Sequence, residues 1–295
     1  MRVSEQSRLA ARMSYLSTAT ERLDALQQQL STGRRIQRAS DDPAGSALAL
    51  RHREEIAYEE QMRRNLSSGV SFMNATEAAL DGATDTLQRI RELTVQAANG
   101  TLGSGERSAV SAEVDQLIGQ LAQLANTNFG GAYIFSGHQA NTPAYQVNGN
   151  PPTSISYQGD DGLRVRRISK EDSAPINVPG SEAFGTIFDD LIALRNNLNS
   201  SVPPSVIGDS LQAIDAGLQR VLDARSKIGA RVNRFETAQR LSERTDTDLQ
   251  QLQAEIEQVD LTDTIVQFQA QQNAFEAALG AIGRTANMTL LDFLR

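Results

Sequence analysis

Apolar residues at Leu261, Ile265, Phe268, Phe275, Leu279, Ile282, Ala286 and Phe293 follow a three-and-four spacing that puts one stripe along a helix running to Arg295. The stretch holds no proline to stop it, and at about 1.5 Å per residue it spans about 50 Å. A matching pattern, Leu9, Met13, Leu16, Leu23, Leu26 and Leu30, predicts an amphipathic helix of similar length over residues 4–32. Gly33 then ends the periodicity, as glycine just beyond a helix does. Ordering the backbone of the tail costs more conformational entropy than burial of its large apolar side chains, Leu290 included, returns. The tail is therefore expected to gain its order from neighbouring chains on assembly; a closing helix docked on its own domain is the alternative.

Between the two ends the pattern predicts further long helices. Asp42 suits a helix N-cap and Pro43 the first helical position, where a missing N–H costs nothing, with Asp41 beside them. The helix begun there runs to about Ala98, with Leu66, Met73, Leu80 and Leu87 one heptad apart. Asn99-Gly100 turns the chain into a helix carrying Val110, Val114, Leu117, Leu121 and Leu124. Ala132 to Phe135 then reads as a strand, and Ile155/Tyr157 and Leu163/Val165 flank Gly159-Asp160-Asp161-Gly162 as a hairpin would. Seven of the eight prolines fall in residues 137–204, where a short helix is marked by Ile187, Leu191, Leu194 and Leu198. A fourth long helix starts near Ser205 with Leu211, Ile214, Leu218, Val221, Ile228, Val232 and Phe235, interrupted by Arg225. Its polar stretch from Ala238 to Asp248 is expected to face solvent or another molecule.

The layout predicts a mainly α chain, an elongated rod of long coiled-coil helices with both termini paired and a small β-rich insertion at the far end. Its expected parts are a terminal coiled-coil domain (1–40 with 256–295), a helical bundle (41–135 with 205–255) and a β-rich outer domain (136–204).

Composition removes most chemistry from this picture. The 295 residues carry a net charge of −8, and the densest basic clusters, Arg34 to Arg38 and Arg164 to Arg167, are too small for a nucleic-acid footprint. There is no cysteine, which excludes disulfides and thiolate sites. The two histidines, His52 and His138, lack partners at metal-ligand spacing and read as surface residues. Asp41/Asp42, Asp160/Asp161 and Asp189/Asp190 are explained by a helix start, a loop and a first helical turn, so no catalytic residue, metal or cofactor is expected. Phe129 to Gly137 is glycine-rich but precedes no helix, which argues against a phosphate cradle. The first thirty residues lack the apolar run of a secretory leader, and no stretch approaches ~18 apolar residues. No membrane insertion is expected, and a route out of the cell would leave the chain beginning near Met1.

Three sets of residues carry a family resemblance. The stretch from Leu30 to Ile56, with its Gly33 connection and Asp41-Asp42 helix start, the heptads at both ends, and Leu290-Leu291-Asp292-Phe293-Leu294 resemble the flagellin family. Within it, Asp41-Asp42-Pro43, Gly131 to Gly137 followed by Asn141-Thr142-Pro143-Ala144, and the small insertion are similar to the hook-filament junction branch. The resemblance implies a structural, non-enzymatic protein exported by the flagellar type III apparatus and assembling with itself as a ring between hook and filament. Its implied partners are a neighbouring hook-associated protein, flagellin and an export chaperone. The assembly interface would comprise Leu9, Met13, Leu16, Leu23, Leu30, Leu261, Ile265, Phe268, Phe275, Leu279, Ile282, Leu290 and Phe293, with Gly33, Asp41, Asp42 and Pro43 as linker and helix start. A filament subunit and a helical type III translocator are the alternatives; a translocator is not expected to carry both terminal motifs.

Overall fold

The computed structural model describes the backbone of residues 5–100 and 102–293 and the side chains of residues 7, 10–100 and 102–283. Four long helices dominate: α1 (Glu5–Thr32), α2 (Pro43–Ala98), α6 (Pro204–Glu257) and α7 (Leu261–Phe293). Between α2 and α6 lie α3 (Ser104–Ala125), strands β1 (Asn128–Phe129), β2 (Ala132–Tyr133), β3 (Tyr145–Asn148), β4 (Ser154–Tyr157), β5 (Val165–Arg167) and β6 (Ser173–Pro175), and helices α4 (Gly180–Ala183) and α5 (Ile187–Leu198). The chain forms two compact units, residues 1–58 with 245–295 and residues 59–244.

The second unit holds the main core. The heptad row Leu66, Met73, Leu80 and Leu87 on α2 is fully buried, as are Val114, Ile118 and Leu121 on α3 and Ile214, Val221, Ile228 and Phe235 on α6. On α3 the buried position is Ile118, while Leu117 and Leu124 are only half-covered, because the helix also turns Ser111 and Ala122 inward. Close helix approach is made possible by Gly69, where an added Cβ would lie 2.8 Å from the Phe235 ring. Arg225, which breaks the apolar row of α6, reaches Glu77 at 2.8 Å and Asp81 at 2.7 Å on α2, so its charge is paired across the helices.

The β-rich part differs from the hairpin expected around residues 159–162. Three separate antiparallel pairs form, β1–β2, β3–β4 and β5–β6, with Tyr145 opposite Tyr157 and Val165 opposite Pro175. Asp160 decides this: its Oδ1 accepts the main-chain N–H of His138 (2.7 Å) and of Gly162 (2.9 Å), which folds the 159–162 segment onto residues 136–138 as an anchored loop. The strand predicted over residues 132–135 is only Ala132–Tyr133, since Ile134 and Phe135 leave the edge for the core. Phe135, Tyr145, Phe184 and Phe188 cluster with ring centroids 4.8–5.9 Å apart, and the Tyr145 hydroxyl donates to the Gly180 carbonyl at 2.8 Å. Burial, reinforced by Tyr157, pushes the Tyr145 phenol far above its ordinary range.

Two further expectations are corrected. The polar stretch 238–248 is not simply solvent-facing: Ser242 and Asp246 are buried, and Ser242 donates to the Glu59 carboxylate at 2.6 Å, while Leu241 on the other side is exposed. Polar residues there make a hydrogen-bonded seam, which hydropathy alone reads as a surface. His138 is exposed, but the side chain of His52 is largely covered, facing Glu55 at 3.7 Å.

Candidate assembly interface

In the first unit α1 and α7 pack along one another. On α1 the covered row is Leu16, Ala19, Leu23, Leu26 and Leu30; Met13, 64% exposed, lies off it. On α7 the covered row is Thr264, Phe268, Gln271, Phe275, Ala278 and Ile282, a 4-3-4-3-4 spacing. Leu261, Ile265 and Leu279 are 51%, 46% and 47% exposed, so three residues of the predicted stripe flank the seam instead of filling it. The apolar surface of α7 is wider than a single partner helix can cover, and the small or polar Thr264, Gln271 and Ala278 take the contact positions. The side chains of Leu9, Leu290 and Phe293 lie outside the described residues. Toward one end the pair opens a groove lined by Ala11, Arg12, Tyr15, Ala278, Ala281 and Ile282. Gln267 and Gln272 on the outer faces donate within their own helix, to Asp263 and Glu276.

The linkers beside this pair are tightly hydrogen-bonded. Gly33 follows α1 with φ 68° and donates to Gln29 O at 2.8 Å, while its carbonyl accepts from Val259 N at 3.1 Å. Arg34 and Gln258 form an antiparallel bridge, and Arg35 N donates to Glu257 O at 2.7 Å. The Arg35 guanidinium also reaches Ile256 O (3.1 Å) and Asp42 (3.3 Å). Glu257 is buried, its carboxylate held by Arg53 at 2.5 Å. Asp260 caps α7, accepting from Thr262 N at 2.9 Å and Asp263 N at 3.2 Å. None of Arg35, Arg53, Glu257 and Asp260 is singled out by the sequence reading. Asp260 followed by Leu261-Thr262-Asp263 is a legible cap signal, whereas the Arg35 and Glu257 contacts join residues far apart in the chain and leave no local pattern.

Asp42 Oδ1 accepts from Gly45 N at 2.8 Å ahead of Pro43, the first residue of α2. A Cβ at position 45 would lie 2.5 Å from that carboxylate, which is why glycine stands there. Asp42→Ala is expected to lower stability by ~0.5–2 kcal/mol, read as a lower melting temperature of the full chain; an unchanged melt would remove the cap. Asp41 Oδ2 accepts from Arg38 N (2.8 Å) and Gln37 N (3.1 Å), which hold its carboxyl below the ordinary 3.8. A depressed folded-state value favours the linker turn above the unfolded pKa, and this contribution disappears as the pH falls through the lowered value. Carboxyl carbon NMR titration of Asp41 should therefore give a midpoint below 3.8; a higher midpoint would dismiss the two hydrogen bonds.

Among the described residues no group of three or more His, Cys, Asp or Glu could hold a metal, and no helix is long and apolar enough to cross a membrane. What the site offers is surface: an apolar flank on a helix pair, and linkers that fix where that pair begins.

The family model for the bacterial flagellin N-terminal helical region matches residues 3–140, and that for the flagellin C-terminal helical region matches residues 211–294. Among curated proteins, the flagellar filament 30.7 kDa core protein of Treponema maltophilum is 30% identical over 259 residues, covering 87% of this chain and 86% of that one. Flagellin FlaB1 of Treponema pallidum is 29% identical over 276 residues, covering 91% of each. Among solved structures, Bacillus cereus FlgL superposes with a TM-score of 0.61 at 22% identity, covering 69% of this chain and 99% of that one. The flagellar junction protein FlgL from Legionella pneumophila gives 0.60 at 19% identity, covering 73% and 100%. These two structures are a likeness of fold.

Proposed function

The chain belongs to the flagellin family, and from that premise we propose that it is a non-enzymatic subunit of the hook-filament junction, assembling with copies of itself as a ring. It is a structural component of the flagellum; the finer position is our reading. The observation that carries it is the fold likeness, which takes in 99–100% of the solved FlgL chains. The Asp41-Asp42-Pro43 start and the Gly131 to Gly137 segment support the same reading. In this role α1 and α7 meet neighbouring subunits through the exposed Met13, Leu261, Ile265 and Leu279, while the seam residues Leu16, Leu23, Leu30, Phe268, Phe275 and Ile282 hold the two helices together and so present that flank. A hook-associated protein and flagellin adjoin it, an export chaperone accompanies it, and it leaves the cell through the type III apparatus.

A filament subunit is the second reading, favoured by the Treponema filament proteins at 29–30% identity. Immunogold labelling of sheared, purified flagella separates the two. A single band between hook and filament is expected; label along the whole filament would make the chain a flagellin.

A further inference from the structure

We propose that Arg35 is a clasp that orders the α1–α7 pair, and that opening it loosens the pair as a unit while residues 59–244 stay folded. The last carbonyls of a helix have no partner within the helix. At the end of α6 two of them are taken by Arg35, Glu257 O by its main-chain N–H at 2.7 Å and Ile256 O by its guanidinium at 3.1 Å. A cation at this point is also favoured by the helix dipole. The same guanidinium stands 3.3 Å from Asp42, the cap of α2, so one residue of the first linker meets the end of one long helix and the start of another.

The neighbouring charges leave Arg35 this role. Asp41 is occupied by Gln37 and Arg38 N–H, Asp260 by the first turn of α7, and the buried Glu257 carboxylate by Arg53. The ion pair with Asp42 is half-exposed and contributes little by itself; the carbonyl contacts carry the clasp. Val259 N on Gly33 O adds a second tie between the linkers, holding the adjoining ends of α1 and α7 together. Such a tie raises the effective concentration of one helix near the other. It matters here because the seam between them is thin, with Ala19, Thr264, Gln271 and Ala278 at contact positions. The clasp is a property of the free chain and does not depend on the junction role.

Amide hydrogen exchange on the full-length monomer tests it, comparing Arg35→Ala with Arg34→Ala, which makes the same change of charge next door. Arg35→Ala is expected to speed exchange about tenfold in α1 and in residues 261–283, the scale of one lost charge-assisted hydrogen bond. Amides from Leu66 to Leu87 should not change, and Arg34→Ala should match the unaltered protein. Arg53→Ala, which strips Glu257 of its partner, should shift α1 and α7 in the same direction. The proposal is overturned if Arg35→Ala behaves like Arg34→Ala, if it accelerates residues 59–244 equally, or if α1 and α7 of the unaltered monomer already exchange at unprotected rates.

Discussion

Replacing Leu261, Ile265 and Leu279 together by alanine should leave the thermal unfolding of the monomer nearly unchanged and abolish self-assembly. All three side chains are about half exposed beside the α1–α7 seam, so the monomer loses little packing with them. In an assembly that covers this flank, each truncation of a buried Leu or Ile costs ~2–5 kcal/mol. Leu261 and Ile265 are one turn apart and do not add independently, but two effective sites at the low end, ~4 kcal/mol, already weaken association by about a thousandfold. Phe275→Ala should behave in the opposite order, since Phe275 lies on the covered seam: exchange in α1 and α7 of the monomer rises first, and assembly falls as a consequence. Sedimentation of the variants under polymerising conditions, with exchange on the monomers, separates the two. In the unaltered monomer, α1 and α7 should exchange much faster than the core of residues 59–244. Protection from Leu261 to Ile282 equal to that of the core would refute an assembly-ordered tail.

Arg195→Ala is expected to cause the largest loss of monomer stability among single polar substitutions. Arg195 on α5 is buried, with its guanidinium 2.9 Å from Asp115 of α3 and 2.6 Å from the Pro152 carbonyl in the turn between β3 and β4. Truncation leaves the Asp115 carboxylate and that carbonyl without their cation. Breaking a buried pair costs ~3–5 kcal/mol, and the 20% exposure of Asp115 places this one toward the lower figure. The urea midpoint should fall accordingly. Arg195→Met with Asp115→Leu should recover much of the loss, because no charge is then stranded. A single variant within about 0.5 kcal/mol of the parent would show that the pair does not hold the β3–β4 turn.

The long helices were legible because their cause is local. A row such as Leu66, Met73, Leu80 and Leu87 repeats at the helical period and can be buried only on one face, and Asp42-Pro43 and Gly33 mark helix ends through their own backbone chemistry. The family was legible for the same reason, in motifs that are contiguous in the chain. The anchored loop that stands where a hairpin was expected around Gly159 was not, since it depends on Asp160 reaching His138, which no local pattern reveals.

The sequence was enough to show that α1 and α7 are amphipathic, that α1 stops at Gly33, and that there is no thiol chemistry. Which edge of the apolar stripe on α7 faces α1 was fixed on folding. Residues 261, 265, 268, 275, 279 and 282 fall close together on a helical wheel, and a stripe that wide permits more than one seam. Thr264, Gln271 and Ala278 take the covered positions, and the bulkier Ile265 and Leu279 stay on the flank. The same holds for Ser242 and for the Arg35 contacts at Ile256 and Glu257, where polar groups distant in sequence meet. Periodicity records which face of a helix is apolar; it carries no information on which distant group will satisfy a given carbonyl or carboxylate, and that is settled only when the chain has folded.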